Sequence, residues 1–372
     1  MIKTTEILII GAGAIGLSCA WRLAQKGLSV TVLERHTCGS GSSLASLGAL
    51  YPPPPSREKP LQNIYRACLW KFKDFADEIE QETGIPIGYE RRGRLEGILK
   101  ESQKTKRLQE CTLAEQKWQQ CFHQPPMQMI SATEARQIEP NVIPTEHGAL
   151  LCHVTAQVNP QRMLSALRKV CELRQVRILE NIPVHTLNLV QDRIQGVQTG
   201  QGIIPATTVL ICAGAWSAQL HPILQRFTNI LPLKGQAMRL QVENPLFSHI
   251  IMYGPFYLIR TSDTEIILGS TTEPEAGFDD QVIEEKQKML FSNAVQFLPG
   301  LAQARIINQW AGIRPASARR KPYIGPVPGV EGLFIAAGHG KIGIGMAPKT
   351  GEWIAEMITA GKMEEDITSL FP

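Results

Sequence analysis

The chain has 372 residues, of which 43% are hydrophobic and 19% are charged, and its formal net charge at pH 7 is +4. This length exceeds what one ordinary hydrophobic core organises, so a globular protein of two domains is expected. The positive charge is mild and spread out, with no Lys/Arg block among aromatic residues, and therefore gives no sign of a nucleic-acid partner. A tRNA substrate is not excluded on this ground alone.

The N-terminus begins with Lys3 and an apolar run, as a signal peptide does. Glu6 interrupts its charged region, and cleavage would remove the glycine turn that follows, so we interpret this segment as the first strand. No apolar run reaches the ~18 residues of a membrane-spanning helix. The eight cysteines form no Cys-x-x-Cys pair, and none follows Cys212. We therefore expect reduced thiols in a cytoplasmic protein, with neither a metal site nor a disulfide framework.

The first 35 residues predict a complete nucleotide-binding unit. Its parts are a buried strand at 6–10, the glycine-rich turn GAGAIG at 11–16, a helix at 17–26, a second strand at 28–33, and Glu34. Strand, turn, helix and acid in this order predict an adenine dinucleotide. Glu34 favours FAD or NAD over NADP, because a 2′-phosphate would meet like charge.

Each glycine of the turn has a predicted role. Gly11 permits the tight turn, Gly13 lets a pyrophosphate approach the backbone, and Gly16 lets the helix pack closely on the strand. The phosphates would lie at the helix N-terminus, where free N–H groups and the positive end of the dipole attract anions. Glu34 has the spacing at which an acid accepts hydrogen bonds from a ribose diol.

The middle of the chain alternates between helical and extended patterns. Small residues at 38–51 could reach a phosphate and leave room for a flat ring, and the prolines at 52–55 force an extended exit. The remaining predictions to residue 200 are a helix at 63–83, a strand at 93–99, a polar and solvated helix at 100–120, a helix from about 160 to 172, a third strand of the nucleotide sheet at 176–179, and a hairpin-like crossover at 187–200.

A second strong signal lies at 208–217, where a hydrophobic strand runs into Ala213, Gly214, Ala215 and Trp216. Such small residues permit close packing against a cofactor. The rest of the chain predicts strands of an antiparallel sheet at 230–242, 256–260 and 265–270, a helix at 282–297, a buried strand entering a glycine-rich turn at 333–345, and a helix at 348–358.

Eight segments spread over the whole chain share their pattern with one family. They are GAGAIG at 11–16, ER at 34–35, GSGSSLASLGAL at 39–50, LICAGAWS at 210–217, PLKGQ at 232–236, YLIR at 257–260, WAGIRPASARRKPYIG at 310–325 and LFIAAGHGKIGIGMAP at 333–348. In them the chain resembles the D-amino-acid oxidase family of FAD enzymes, most closely its glycine oxidase branch from bacterial thiamine synthesis. The segment from Trp310 to Pro315 is much more specific than the dinucleotide turn.

The resemblance implies an α/β (α+β) fold, in which a Rossmann-like FAD-binding domain carries an inserted substrate domain built on a mainly antiparallel sheet. Residues 1–84, 151–222 and 323–372 would form the FAD-binding domain, and residues 85–150 and 223–322 the substrate domain. The nucleotide-binding strands would thus come from the start, the middle and the end of the chain.

The resemblance also implies a set of residues that line FAD: Ala14, Ile15, Glu34, Arg35, Ser42, Ser43, Leu47, Gly48, Ala49, Val184, His339, Gly340, Lys341, Ile342, Gly343, Ile344 and Gly345. His339 is expected to support flavin packing through its backbone. Some relatives with covalent flavin carry a cysteine after the Arg-Pro segment. This chain has none there, so FAD would be held noncovalently.

Three residues are candidates for substrate contact. Arg314 would bind the substrate carboxylate, since a guanidinium grips a carboxylate with two parallel hydrogen bonds. Tyr257 would face the substrate, or be part of the core. Lys341 stands where the glycine oxidase pattern has an arginine, and could contact the substrate, stabilise negative charge on the flavin, or be solvated. Thr272 stands where the pattern has methionine, so the pocket is not a faithful copy.

The function that the resemblance implies is FAD-dependent oxidative deamination of glycine, a small D-amino acid or an N-substituted glycine, with O2 reduced to H2O2. Three alternatives stay open: a D-amino-acid dehydrogenase that passes electrons to a quinone, a tRNA-modifying flavin oxidase, which GALYP at 48–52 resembles, and a non-catalytic flavin-binding protein. The expected partners are a small amino acid and O2, and assembly into a homo-oligomer is left open. No role in the site is expected for the basic cluster at 319–321, which is predicted to be a solvated face. Arg260 is expected to have a structural role.

Overall fold

A computed structural model describes residues 5–53, 60–118, 125–361 and 365–372. The strands of these residues, numbered in chain order, are β1 (Thr5–Ile10), β2 (Val30–Leu33), β3 (Ala49–Leu50), β4 (Arg94–Gly97), β5 (Met127–Ile130), β6 (Ala149–Cys152), β7 (Ala156–Gln157), β8 (Arg177–Leu179), β9 (Val184–Val190), β10 (Arg193–Thr199), β11 (Gly202–Ile211), β12 (Ile230–Gln241), β13 (Ile250–Tyr253), β14 (Phe256–Arg260), β15 (Glu265–Gly269), β16 (Arg305–Ser317), β17 (Tyr323–Pro326) and β18 (Leu333–Ala337).

The helices of the described residues are numbered in the same way. They are α1 (Ala14–Gln25), α2 (Pro60–Trp70), α3 (Phe72–Thr83), α4 (Lys104–Trp118), α5 (Ala132–Ile138), α6 (Pro160–Leu173), α7 (Pro222–Phe227), α8 (Glu284–Phe297) and α9 (Gly343–Ala360).

The first sheet has a parallel centre in the order β18-β11-β1-β2-β8, with β17 antiparallel at the β18 edge. β1 lies between β11 and β2 and is covered on both faces, which explains why its sequence is a continuous apolar run. The predicted third strand is confirmed as β8, and the predicted hairpin is confirmed as β9 and β10, which extends the sheet from β11.

Helices α1, α6 and α9 cover one face of this sheet. The large buried side chains between them include Trp21, Phe72 and Trp353. At the contact between α1 and α9, a β-carbon on Gly351 would lie 2.6 Å from the carbonyl oxygen of Ser18. Glycine at this position therefore lets the two helices approach closely, and their N-termini both point toward the same end of the sheet.

The second sheet has the order β16-β12-β15-β14-β13-β4-β6-β5, and every pair except β4–β13 is antiparallel. Helix α8 packs on it through Leu290, Ala294 and Phe297. The expected combination of a Rossmann-like sheet with a mainly antiparallel sheet is confirmed. The domain boundaries stay a prediction, and β6 itself runs across the predicted boundary between residues 150 and 151.

Three predicted helices differ in the structure. The helix at 63–83 is two helices, α2 and α3, which meet at Lys71. The break lets Trp70 pack on Trp118 while Phe72 stacks on Tyr89, with ring centroids 5.5 and 5.6 Å apart. The prediction of a solvated helix at 100–120 is wrong in part, because α4 buries Glu110, Ala114 and Trp118. Residues 119–120 of this prediction and residues 54–55 of the proline run lie outside the described part of the chain.

The third difference concerns the last helix, which begins at Gly343 and not near Pro348. Proline favours the first helical turn, so its position suggested a later start. Of the glycines that suggested a turn, Gly338 and Gly340 precede the helix with positive φ, whereas Gly343 and Gly345 belong to the helix. A β-carbon on Gly345 would lie 2.8 Å from the ring of Tyr65.

The basic cluster at 319–321 is not simply a solvated face. The Arg319 guanidinium donates hydrogen bonds to the carbonyl oxygens of Pro322, Leu370 and Phe371 and lies 3.7 Å from the centroid of the Tyr323 ring. It thereby fixes the C-terminal residues against β17. The expected structural role of Arg260 agrees with its ion pair to Asp263 at 3.5 Å.

Several general features complete the fold. Cys121 lies outside the described residues, and the other seven cysteines are free thiols. Within the described ranges, no group of three or more His, Cys, Asp or Glu side chains is arranged to hold a metal ion. None of the helices in that same part of the chain combines the length and the apolar character needed to cross a membrane.

Candidate active site

The turn between β1 and α1 has the geometry that its three glycines predict. Gly11 adopts φ +106°, in the left-handed region that favours glycine. A β-carbon on Gly16 would overlap the carbonyl oxygen of Gly11, so the helix approaches the strand as closely as the backbone allows. A β-carbon on Gly13 would lie 3.1 Å from Oγ of Ser43. Glycine at these positions therefore lets the turn, the strands and the start of α1 pack closely, with no side chain of the turn itself at the helix N-terminus.

Two side chains define the surroundings of this helix N-terminus. The Glu34 carboxylate accepts hydrogen bonds from the backbone N–H groups of Ala12 at 2.9 Å and His36 at 3.0 Å, which orients it at the end of β2. The hydroxyl of Ser43 accepts from the N–H of Ala14 at 2.9 Å. The small-residue segment at 38–51 therefore packs directly on the glycine turn.

A cavity of about 750 Å³ runs from this turn to the second sheet. Its size falls in the range of small-molecule and cofactor sites. Most of the predicted FAD-contacting residues line it: Gly11, Gly13, Ala14, Ile15, Glu34, Arg35, Ser42, Ser43, Leu47, Gly48, Ala49, Val184, Ala213, Gly214, Trp216, His339, Gly340, Lys341, Gly343 and Ile344. The three residues predicted to contact substrate, Tyr257, Arg314 and Lys341, line the same cavity.

Three residues of the predicted cofactor set do not line the cavity. Gly16 faces the backbone of Gly11, in agreement with its predicted packing role. Gly345 lies in the first turns of α9 and faces Tyr65 and Leu69. Ile342 precedes the helix and donates its N–H to the carbonyl of His339 at 3.1 Å. The resemblance implies cofactor contact for every residue of a glycine-rich segment, whereas only one side of each segment faces the cavity.

One wall of the cavity is aromatic and cationic. The guanidinium of Arg35 lies 3.6 Å from the centroid of the Trp216 ring, whose other neighbour is Phe278 at 5.3 Å. Burial lowers the pKa of Arg35, while the nearby carboxylates of Glu34 and Asp280 oppose that shift. This contact joins the residue after the predicted ribose-binding acid to the small-residue segment at 213–216, which follows β11.

Arg314 is positioned by β16, where it lies opposite Leu233 of β12. Its side chain crosses β12 over Gly235, because a β-carbon there would overlap the guanidinium. The Nη1 group donates to the carbonyl oxygens of Lys234 and Thr271, both at 3.3 Å, and Nη2 donates to the hydroxyl of Ser270 at 2.8 Å. Burial lowers the pKa of Arg314.

These contacts leave part of the guanidinium available. Arginine has five N–H donors, and the hydrogen bonds recorded within the described residues use three. Nε–H and one Nη2–H lie on one edge of the plane and could bind the two oxygens of a carboxylate. Among the described residues no carboxylate forms an ion pair with Arg314.

Tyr257 extends from β14 into the same region, and burial raises its pKa to about 12. Its phenol is therefore neutral at physiological pH and can donate a hydrogen bond. Lys341 follows Gly340 in the turn before α9, and its ammonium donates to the hydroxyl of Thr272 at 3.3 Å. Burial and the charge of Arg314 lower the pKa of Lys341.

His339 is unsuited to be a base in this cavity. Its Nε2 atom lies 3.2 Å from Oγ1 of Thr350 on α9, and the residue is almost completely buried. Burial lowers its pKa to about 3, so the ring is neutral. The side chain thus faces helix α9, and the neighbouring turn presents its backbone to the cavity.

Sequence reasoning missed several residues that shape the site. Ser270 and the carbonyl of Thr271 hold Arg314, and Ser42 donates its hydroxyl to the carbonyl of Ile313 beside it. Gly235 carried an available signal, since a glycine inside a strand marks the close approach of another group. The other contacts join residues far apart in sequence, and nothing in the local pattern indicates them.

Comparisons with known proteins agree with this geometry. A family model described as FAD dependent oxidoreductase (DAO) matches residues 6–357. The chain is 31% identical to a glycine oxidase of Pseudomonas aeruginosa over 362 residues, which cover 95% of this chain and 94% of that protein. It is 28% identical to a glycine oxidase of Pseudomonas putida, covering 96% of this chain and 95% of the relative. The crystal structure of glycine oxidase from Geobacillus kaustophilus superimposes with a TM-score of 0.90 at 26% identity, covering 100% of this chain and 98% of the other.

Proposed function

Because this chain belongs to the DAO family of FAD-dependent oxidoreductases, we propose that it oxidises the amine of glycine, a small D-amino acid or an N-substituted glycine. The observation that carries this proposal is the place of Arg314. Arg314 lines the cavity that begins at the dinucleotide turn, its recorded hydrogen bonds use three of its five N–H donors, and within the described residues no acidic side chain forms an ion pair with it. A ligand carboxylate is the natural partner of such a group.

The residues present fit FAD. Gly11 lets the turn pack against the backbone of Cys212, Gly13 places no side chain at the helix N-terminus, and the Glu34 carboxylate is oriented at the end of β2 by the N–H groups of Ala12 and His36. We propose that these residues, with Ser43, hold the nucleotide noncovalently. When bound, FAD supplies the acceptor for the hydride that leaves the substrate α-carbon.

The protein groups position the substrate and balance its charge. Arg314 binds the α-carboxylate through Nε and Nη2, while Lys234, Ser270 and Thr271 hold the other donors and prevent the side chain from rotating. Tyr257 donates a hydrogen bond from its phenolic O–H to the same carboxylate and keeps its proton, because burial raises its pKa to about 12. Loss of the hydride from the α-carbon and of a proton from the nitrogen, released to solvent, would convert the amine into an imine, which water hydrolyses to a 2-oxo acid and ammonia or an amine.

The test replaces Arg314 with alanine and, separately, with lysine. Glycine, sarcosine and D-alanine are mixed anaerobically with each holoenzyme, and bleaching of the flavin absorbance is followed. We expect Arg314→Ala to raise the apparent KM by ~100-fold or more with FAD still bound, because charge-assisted hydrogen bonds contribute ~1.5–3 kcal/mol each. Arg314→Lys keeps the charge but not the paired geometry, so an intermediate loss is expected.

Arg305→Ala is the matched control, since Arg305 lies on the same strand but is exposed and contacts Gln241 outside the cavity. Unchanged kinetics in Arg314→Ala would remove the residue from the carboxylate role. Wild-type bleaching with consumption of O2 and formation of H2O2 supports an oxidase, whereas bleaching that is reversed only by a quinone supports a dehydrogenase. Absence of bleaching with any of these compounds would contradict the proposed reaction.

A further inference from the structure

The residues Thr271 and Thr272 hold two cations of the cavity at once. The carbonyl of Thr271 accepts from Arg314, and the hydroxyl of Thr272 accepts from the ammonium of Lys341, each at 3.3 Å. Neighbouring Cα atoms are ~3.8 Å apart, so one dipeptide brings the two positive groups close together. Their proximity is also seen in the effect of the Arg314 charge on the pKa of Lys341.

The backbone fixes Lys341 with respect to Arg314 from a second direction. The N–H of Gly340 donates to the carbonyl of Pro315 at 2.8 Å. Gly340 has φ +57°, a conformation that favours glycine, and this hydrogen bond joins the turn that carries Lys341 to the end of β16. Arg314 and Lys341 are 27 residues apart in the sequence, and the residues next to them, Pro315 and Gly340, are hydrogen-bonded to each other.

The described residues offer no matching negative charge. Neither Arg314 nor Lys341 forms an ion pair in that part of the chain. Glu273 is the acid whose charge acts on Arg314, but its carboxylate already accepts from Gln236 at 2.9 Å and from the hydroxyl of Thr271. Asp280 acts on Arg35 instead. Tyr257 is neutral at physiological pH.

An ordinary monocarboxylate would neutralise only one of the two cations. Lys341 is solvent-exposed, so water hydrates its ammonium, but partial burial and the charge of Arg314 still lower its pKa, and an anion bound beside Lys341 would relieve the repulsion between the like charges. Lysine has three N–H donors, of which the contact with Thr272 uses one. Two donors thus remain for an anionic group.

We propose that the preferred substrate carries a second carboxylate, bound by Lys341 while Arg314 binds the first. The substrate class is an amino acid with two carboxylates, either an acidic D-amino acid or an N-(carboxymethyl) amino acid. This inference rests on the proposed function for the kind of reaction. The pair of positive charges from which it is argued can be tested by binding alone, without turnover. Lys341 is then the residue that determines specificity between mono- and dicarboxylates.

The binding test uses the holoenzyme and compounds that cannot be oxidised. Dissociation constants of acetate, malonate, succinate and glutarate are measured by isothermal titration calorimetry. We expect the best dicarboxylate to bind the wild type at least ~10-fold more tightly than acetate. In Lys341→Met this ratio should fall toward one, and in Lys341→Arg most of it should remain. Lys288→Met, the same change at an exposed lysine paired with Glu284 on α8, should keep the wild-type ratio.

The turnover test compares kcat/KM for iminodiacetate and D-glutamate with kcat/KM for glycine and sarcosine in the same variants. A selective loss for the dicarboxylates in Lys341→Met, expressed in KM more than in kcat, supports the proposal. An equal loss for all four compounds would assign Lys341 to the flavin and overturn it, as would a wild type that binds acetate and the dicarboxylates equally.

The two proposals fail in different ways. If glycine is oxidised but neither assay shows a preference for two carboxylates, the deamination stands and the role of Lys341 is refuted. If the calorimetric preference is present and depends on Lys341 but none of the amino acids is oxidised, the two-anion site stands and the proposed reaction is refuted.

Discussion

Gly235→Ala tests the position of the Arg314 guanidinium without removing its charge. A β-carbon at residue 235 would overlap Nη1, Nη2 and Cζ of Arg314, so the guanidinium must move by roughly 1.5 Å to reach ordinary contact distance. The atoms that would be displaced are the end of a flexible side chain and not backbone. The fold should survive the substitution with a loss of ~1–3 kcal/mol in stability, because the displaced guanidinium loses hydrogen bonds, while alanine in a strand removes part of the entropic cost of glycine.

The expected effect on the reaction is large. A displacement of this size breaks the geometry set by Ser270, Thr271 and Lys234. Misplacing a positioning group by 1 Å can cost ~100-fold in rate, which corresponds to ~2.7 kcal/mol of binding to the transition state. We expect kcat/KM to fall by about this factor, mostly through KM, with FAD still bound.

The assay is a double-mutant cycle on Gly235→Ala, Arg314→Ala and the combined variant. Steady-state kcat/KM is measured for the best amino-acid substrate, and thermal unfolding is followed in parallel. Because the alanine at 235 acts only by displacing Arg314, it should have almost no further effect once the arginine is gone. A full additional ~100-fold loss in the combined variant would refute the reasoning, and so would wild-type kinetics in Gly235→Ala alone.

Three further predictions concern the cofactor end of the cavity. Glu34→Ala should raise the dissociation constant of FAD on the order of tenfold or more, measured by equilibrium dialysis, because a charged acceptor for the ribose is lost; unchanged affinity would contradict this role. Gly16→Ala should destabilise the protein by ~1–3 kcal/mol in urea unfolding, because its β-carbon meets the backbone of Gly11, whereas Gly41→Ala, which has open space, should stay within ~0.5 kcal/mol. Burial lowers the pKa of His339 to about 3 from ~6.5 in the unfolded chain, so the unfolded state binds the proton first and stability falls as the pH drops from ~6.5 toward 3, by up to ~1.4 kcal/mol per pH unit. His339→Gln should flatten this part of the stability curve, and equal slopes for both proteins would refute the assignment.

The elements with strong local signals could be predicted from the sequence. The first strand, the glycine turn, the following helix and Glu34 all lie within 35 consecutive residues, and each is encoded by short-range sterics and periodicity. The β9–β10 hairpin and strand β11, which ends at Ile211 just before the small residues at 213–215, are of the same kind. The errors fell where packing overrode local preference, as at the break between α2 and α3 and at Pro348 inside α9.

The site near Arg314 could be predicted only in part. Resemblance selected the arginine itself, but not Gly235 under its guanidinium or Ser270 beside it. These contacts depend on the register between β12 and β16 and on the path of the chain after β15. A shift of one residue would turn every side chain to the opposite face of the sheet, and no local pattern shows the register.

The sequence alone indicated that this protein holds a dinucleotide, since the turn, the helix N-terminus and the acid lie within 35 consecutive residues and form a recognisable local pattern. The tertiary structure alone decided the charge of the cavity beside Arg314. There, two cations from β16 and from the turn before α9 meet at Thr271 and Thr272, without an acid to pair with them in the described residues. Electrostatic energy depends on distances in space, and these distances exist only after segments tens of residues apart have packed together.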